Sequence, residues 1–257
     1  MTVSTEARNS IIHLLGIQIH DFAAQDVIDF IAKTIQLDKA AIVANVNVHC
    51  MNLACKQPWL IDFLNKAEVN FCDGAGVMLG ARILGYRIPE RITYADWTWQ
   101  LAEFAEPRGF TFYFLGAKPG IAEKAAAKLK ERHPNLQVIG THHGYFDKTA
   151  GSVENEAVIQ QINALKPNIL VLGFGMPLQE KWLMENWDNI EANIALTGGA
   201  VFDYISGELQ RGPKWMTDNG FEWLARLIIE PRRLWKRYLI GNPLFLYRVL
   251  KQRFTQK

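Results

Sequence analysis

Cysteine is scarce in this chain of 257 residues: Cys50, Cys55 and Cys72 are the only three. An odd number without Cys-x-x-Cys spacing argues against a disulfide framework or a thiolate zinc site, and a reducing cytoplasm is the expected setting. No apolar run approaches the length needed to cross a bilayer, and no basic segment followed by an apolar signal core opens the chain. There is no Asp-x-Asp pair to hold a divalent ion against a diphosphate, so no metal and no cofactor are expected. No serine or cysteine stands in a nucleophile-elbow context, which argues against covalent hydrolase chemistry. Low-complexity tracts and internal repeats are absent too. Gly173-x-Gly175-x-Pro177 is only superficially a dinucleotide fingerprint, because its third glycine is missing and it comes late in the chain.

What is present is an ordinary globular composition, 49% hydrophobic and 21% charged, in a chain long enough for a full core. The net charge of +2 hides a division. Residues 208–257 carry eleven Lys/Arg and four Asp/Glu, a balance of +7, which leaves −5 for residues 1–207. A basic tail of this kind points to something anionic. Its cations alternate with apolar residues: Trp235 and Tyr238 sit among Arg232, Arg233, Lys236 and Arg237. Such a mixture suits either a helix lying at an anionic membrane surface or a helical pair packed on the core with a solvated basic face. Nucleic acid is disfavoured, because the tail is apolar-rich and no nucleic-acid-binding motif accompanies it. Pro213, Pro231 and Pro243 are expected to cut the tail into short pieces.

Up to Gly207, short apolar runs alternate with amphipathic stretches of helical period. Strands are expected at Ala40–Ala44, Val69–Cys72, Thr111–Leu115, Leu136–Ile139, Ile169–Leu172 and Ile194–Thr197, with a strand pair broken at Gly16 before them. Strands separated by helices imply right-handed crossovers. The expected fold is therefore α/β, a Rossmann-like, mainly parallel sheet with helices on both faces, as a core of residues 1–207 plus a basic helical appendage of residues 208–257. In such a sheet the carboxyl ends of the strands share one edge, where ligands bind. Five strand ends here carry polar or flexible groups: Asn45 and Asn47, Asp73 with Gly74, the Gly140–Gly144 segment with His142 and His143, Gly173–Gln179, and Gly198-Gly199. Asp73 alone reads as a helix cap. The adjacent histidines would point to opposite faces of a strand, so at most one would reach a shared site.

Six motifs occur in order: Asp73-Gly74-x-Gly76-Val77, Pro89-Glu90-Arg91, Gly140-Thr141-His142-His143-Gly144-Tyr145-Phe146, Gly173-x-Gly175-x-Pro177-x-Gln179-Glu180-Lys181-Trp182, Gly198-Gly199-x-x-Asp203, and Glu222-Trp223-Leu224-x-Arg226-Leu227-x-x-Glu230-Pro231-x-Arg233. Together they resemble the WecG/TagA/CpsF family of bacterial glycosyltransferases. That resemblance implies an inverting, metal-independent transfer from a UDP-sugar to a polyprenyl-diphosphate-linked saccharide. The enzyme would act as a peripheral protein on the inner face of the cytoplasmic membrane. The implied donor sugar is N-acetylmannosamine or its uronic acid, with glucose and glucuronic acid as further options. Asp73 matches the family's general base, Arg91 a position near the reacting centre, and Gln179 one in the donor pocket. Asn47, Gly74, His142, Gly173 and Gly175 join the implied substrate-binding set, as do Arg226 and Arg233, whose forked donors suit a diphosphate. Asn45 departs from the family's teichoic-acid branch, which has Thr there; its amide is expected to meet a sugar hydroxyl. Two rivals stay open, a nucleotide- or NAD-dependent oxidoreductase and a non-catalytic lipid- or partner-binding module, and so does a homo-oligomer.

Overall fold

The computed structural model describes residues 11–255, apart from the side chain of Asp218. The outer ends of the expected core and appendage, residues 1–10 and 256–257, lie outside the described residues. β1 (Ile11–Leu14) and β2 (Ile17–His20) pair antiparallel around Gly16, as the interrupted apolar run suggests. Next come α1 (Ala24–Gln36), β3 (Ala41–Val46), α2 (Val48–Ala54), α3 (Pro58–Lys66), β4 (Val69–Cys72) and α4 (Ala75–Ile83). They are followed by α5 (Tyr94–Ala105), β5 (Thr111–Gly116), α6 (Ile121–Arg132), β6 (Gln137–His142), α7 (Val153–Leu165) and β7 (Ile169–Gly173). The chain continues through α8 (Leu178–Asn186), β8 (Ile194–Thr197), α9 (Val201–Ser206), α10 (Lys214–Asp218), α11 (Glu222–Ile229), α12 (Pro231–Trp235) and α13 (Gly241–Thr255). α1 forms where Val27, Ile28 and Ile31 recur at helical spacing and are buried. Pro58 starts α3 instead of interrupting it, since the first turn of a helix needs no N–H from it.

β3 to β8 form one six-stranded sheet in the order β4-β3-β8-β7-β5-β6, with every pair parallel. Helices cover both faces, so the Rossmann-like α/β expectation holds. One face buries Cys50 and Met51 of α2, Leu60 of α3, Val77 of α4, Ile162 of α7 and Trp182 of α8. The other buries Ile31 of α1, Trp97 of α5, Leu129 of α6 and Phe202 of α9. Neighbouring strands β3 and β8 therefore send their following helices, α2 and α9, to opposite faces. This is the arrangement that opens a crevice at the carboxyl edge of a doubly wound sheet. The backbone ladder between the two strands ends at Val43 and Leu196, just short of that edge.

The tail past Gly207 is helical throughout most of its length. Pro213 and Pro231 stand at helix starts, as expected, but Pro243 does not cut the chain. Residues Lys236–Ile240 form a π turn, in which the N–H of Gly241 donates to Lys236 five residues back. The widened turn directly precedes Pro243, and the helix continues through α13. α13 lies against α2 and α4, burying Phe245 and Val249 in the first core cluster. Gly80 of α4 allows this approach: a Cβ there would lie 2.7 Å from the Phe245 ring. Asn52 of α2 donates to the Gly241 carbonyl (2.7 Å) and accepts from Arg248 (2.6 Å), and Gln252 donates to His13 of β1 (3.1 Å). Truncating Phe245 to Ala removes a side chain only 1% exposed. Urea unfolding should lose about 3–5 kcal/mol in one cooperative transition. A loss under about 1 kcal/mol would mean that α13 does not share the core's stability.

Candidate active site

The crevice between β3 and β8 widens into a cleft of about 680 Å³, roofed by α11, α12 and the turn after it. Asn45, Asn47, Asp73, Gly74, Arg91, Gly175, Arg226 and Arg233 all line it. Asp73 follows β4, whose Cys72 pairs with Val46 of β3, and the Asp73 N–H donates to the Val46 carbonyl at 2.9 Å. Helix capping is not its role. Gly74 takes the cap position of α4 with φ +128°, a backbone conformation that suits glycine, and no side chain caps that helix. Asp73 instead accepts from Asn45 Nδ2 at 2.8 Å. The capping residue in this region is Asn47, whose Oδ1 accepts from Cys50 N–H at 3.0 Å at the start of α2. Burial lifts the Asp73 carboxyl above the usual carboxylate range, and the Glu222 carboxylate adds to the rise, while Asn45, Arg237 and Asn47 oppose it.

Arg91 reaches the cleft from the loop between α4 and α5. Its fork engages Glu222 (3.1 Å) and the Thr217 carbonyl (2.9 Å), which ties that loop to α10 and α11. Arg226 stacks toward Tyr204, 5.6 Å from the ring centre, and lies 3.7 Å from Glu230, which also pairs with Arg233 at 2.5 Å. Four guanidiniums thus meet two carboxylates around the cleft: Arg91, Arg226, Arg233 and Arg237 against Asp73 and Glu222. Arg237 makes no salt bridge among the described residues, and its buried Nε has no hydrogen-bond partner. Burial lowers its pKa.

Three expected site residues do not line the cleft. Gln179 is fully buried behind it. Its Oε1 accepts from both Gly175 N–H (3.2 Å) and Gly199 N–H (3.0 Å), so it joins the turns after β7 and β8. Its Nε2 donates to Glu180 (2.8 Å), whose carboxyl burial pushes up to about 7. Gly173 is closed over by Phe202, where a Cβ would lie 2.5 Å from the ring. His142 ends the edge strand β6 and lies outside the cleft lining, with Phe146 and Phe174 between at successive ring separations of 5.5 and 5.9 Å. The two histidines do not face opposite ways, since the strand stops at His142; their rings lie 4.6 Å apart. Among the described residues no three His, Cys, Asp or Glu side chains converge as a metal site.

His49, Tyr204, Glu222, Trp223 and Arg237 also line the cleft, although sequence reasoning did not single them out as site residues. Burial and the nearby Arg237 push His49 down to about 4, which leaves it neutral at physiological pH. The one available signal concerned Arg237: Arg226, Arg233 and Arg237 recur at intervals of seven and four, the spacing of a single helix face. The buried thiols of Cys50 and Cys72 have raised pKa values, chiefly from burial, which fits inert packing.

Comparison with known proteins extends these observations along the chain. An N-acetylglucosaminyldiphosphoundecaprenol N-acetyl-beta-D-mannosaminyltransferase of Staphylococcus aureus (strain NCTC 8325 / PS 47) is 25% identical over 254 residues, 98% of this chain and 96% of the relative. The protein of the same name from strain MW2 is 24% identical over the same spans. The model of the glycosyl transferase WecG/TagA/CpsF family matches residues 12–257, and the chain is therefore a glycosyltransferase belonging to that family.

Proposed function

We propose that the enzyme transfers an N-acetylmannosamine-type sugar from a UDP donor to a saccharide carried on undecaprenyl diphosphate, with inversion at the anomeric carbon and without a metal. N-acetylmannosamine or its uronic acid is the favoured donor sugar, ahead of glucose and glucuronic acid. The observation that carries this reading is the Asp73 carboxylate, its proton affinity raised by burial, in a cleft that Arg91, Arg226, Arg233 and Arg237 also line. As the acceptor hydroxyl attacks the anomeric carbon, Asp73 takes its proton and the bond from that carbon to the UDP oxygen breaks. Arg226, Arg233 and Arg237 neutralise the charge that gathers on the departing diphosphate, the task a metal would otherwise perform. Arg91 holds the loop and α11 together beside Asp73. The acceptor and sugar class are supported by the activity for which the Staphylococcus aureus relatives are named.

A transfer assay with a panel of UDP-sugars and a short-chain polyprenyl-diphosphate acceptor tests this reading. Asp73→Asn should lower kcat by roughly 10²–10⁴-fold while donor KM changes little. Excess chelator should leave the wild-type rate intact, and product NMR should show the anomeric configuration opposite to the donor's. Full activity in the variant removes Asp73 as base, loss in chelator contradicts the metal-free route, and retained configuration contradicts a single displacement.

The membrane is the proposed second partner. Ile228, Trp235, Leu239 and Ile240 are exposed on the helices and turn that roof the cleft, with Trp215 and Phe221 exposed just before them, beside exposed Arg232, Arg233 and Lys236. No helix among the described residues is long and apolar enough to cross a bilayer. Apolar side chains ringed by cations suit a surface of anionic lipid. Replacing Leu239 and Ile240 together by Asp should abolish flotation with anionic vesicles and leave transfer to a water-soluble acceptor in place. Undiminished flotation would locate the contact elsewhere.

A further inference from the structure

Beyond the last backbone pairing of β3 with β8, a side chain takes over. The Asn45 N–H donates to the Thr197 Oγ1 at 3.1 Å, and the same hydroxyl donates to Asn45 Oδ1 at 3.1 Å. Both groups are buried, Thr197 at 0% and Asn45 at 4% exposure. The backbone N–H can only donate, so the Thr197 oxygen is the acceptor there and its single proton is left for the Asn45 carbonyl. This fixes the amide: Oδ1 toward Thr197, Nδ2 toward Asp73, which it meets at 2.8 Å. Rotating the amide by half a turn would set a carbonyl oxygen against the carboxylate and an NH2 against the hydroxyl proton. The ionised carboxylate repels that arrangement, and the hydroxyl proton loses its acceptor.

We infer that Thr197 is a positioning residue: through Asn45 it holds the Asp73 carboxylate in one orientation and keeps a hydrogen-bond donor on its ionised form. The inference rests on the reading of Asp73 as the base. It also changes the expected use of Asn45, whose amide serves Asp73 instead of being reserved for a sugar hydroxyl. Other charged and titratable groups bear on Asp73 as well. Glu222 of α11, Arg237 of the π turn, Arg91 of the α4–α5 loop and His49 of α2 line the same cleft. Tyr94, Tyr204, Cys50 and Cys72 interact with it electrostatically. Replacing Thr197 frees the Asn45 amide and replacing Asn45 removes its Nδ2 donor, while these groups and the Asn47 side chain, which also bonds Asp73, stay in place.

The sign follows directly. A base must be ionised, so transfer falls on the acidic side as Asp73 takes up its proton. A donor to the ionised form opposes that uptake, and its loss moves the acidic limb of kcat/KM to higher pH. Thr197→Val should move the limb up by about one pH unit, a roughly tenfold loss of rate at a fixed pH on the limb. Asn45→Ala should move it in the same direction, and Thr197→Ser, which keeps the hydroxyl, should restore the wild-type limb. UDP affinity, read by calorimetry, should hold in all three. If Thr197→Val does not fold, Asn45→Ala reads the same limb. An unmoved limb in the folded variants, including one with only a lowered melting temperature, overturns the inference while leaving the base in place. Full transfer by Asp73→Asn overturns the base reading itself, and that result is seen without any of the other three variants.

Discussion

The active cleft exists because two adjacent parallel strands part. β3 and β8 are paired by backbone as far as Val43 and Leu196, and their helices then leave to opposite faces of the sheet. A gap of this kind exposes strand-end polar groups that would otherwise be costly to bury. Here a threonine hydroxyl and an asparagine amide span it, and the free end of the amide is given to Asp73. The turns after β7 and β8 are joined by the same device one strand further along, with the Gln179 carbonyl accepting from Gly175 and Gly199. Side chains thus bridge the strand ends where the sheet ladder stops.

The roof is electrostatic in purpose as well as apolar in packing. α13 is locked to α2 and α4 through Phe245 and Val249, which holds the π turn and its Arg237 over the cleft. The Nε of the half-buried Arg237 is buried without a hydrogen-bond partner, and a diphosphate of the proposed donor would supply one. Glu230 meanwhile pairs with both Arg226 and Arg233. One segment of chain therefore supplies three of the four cleft arginines together with the apolar rim.

Much of this could be read from residue pattern. Val69–Cys72 and Ile194–Thr197 coincide with their strands, because Asp73-Gly74 and Gly198-Gly199 break the period after them. The shared strand-end edge followed from the parallel topology alone. What pattern could not give was partner choice across long sequence separation. Asp73 looked like a cap because Asp before Gly commonly is one, yet its partner is Asn45, 28 residues away. Gln179 looked ligand-facing because it opens a helix after a glycine turn, yet it is buried and bonded to two backbones. Pro243 looked like a break because the π turn that accommodates it has no sequence mark.

The central claim is that Asp73 is a base whose proton affinity is set by this cleft. Its side-chain carboxyl carbon can be titrated directly by ¹³C NMR in the UDP-bound enzyme, with Asp73→Asn identifying the resonance. The account predicts a midpoint above the usual carboxylate range that coincides with the acidic limb of kcat. An ordinary carboxylate midpoint, or one unrelated to that limb, would contradict it.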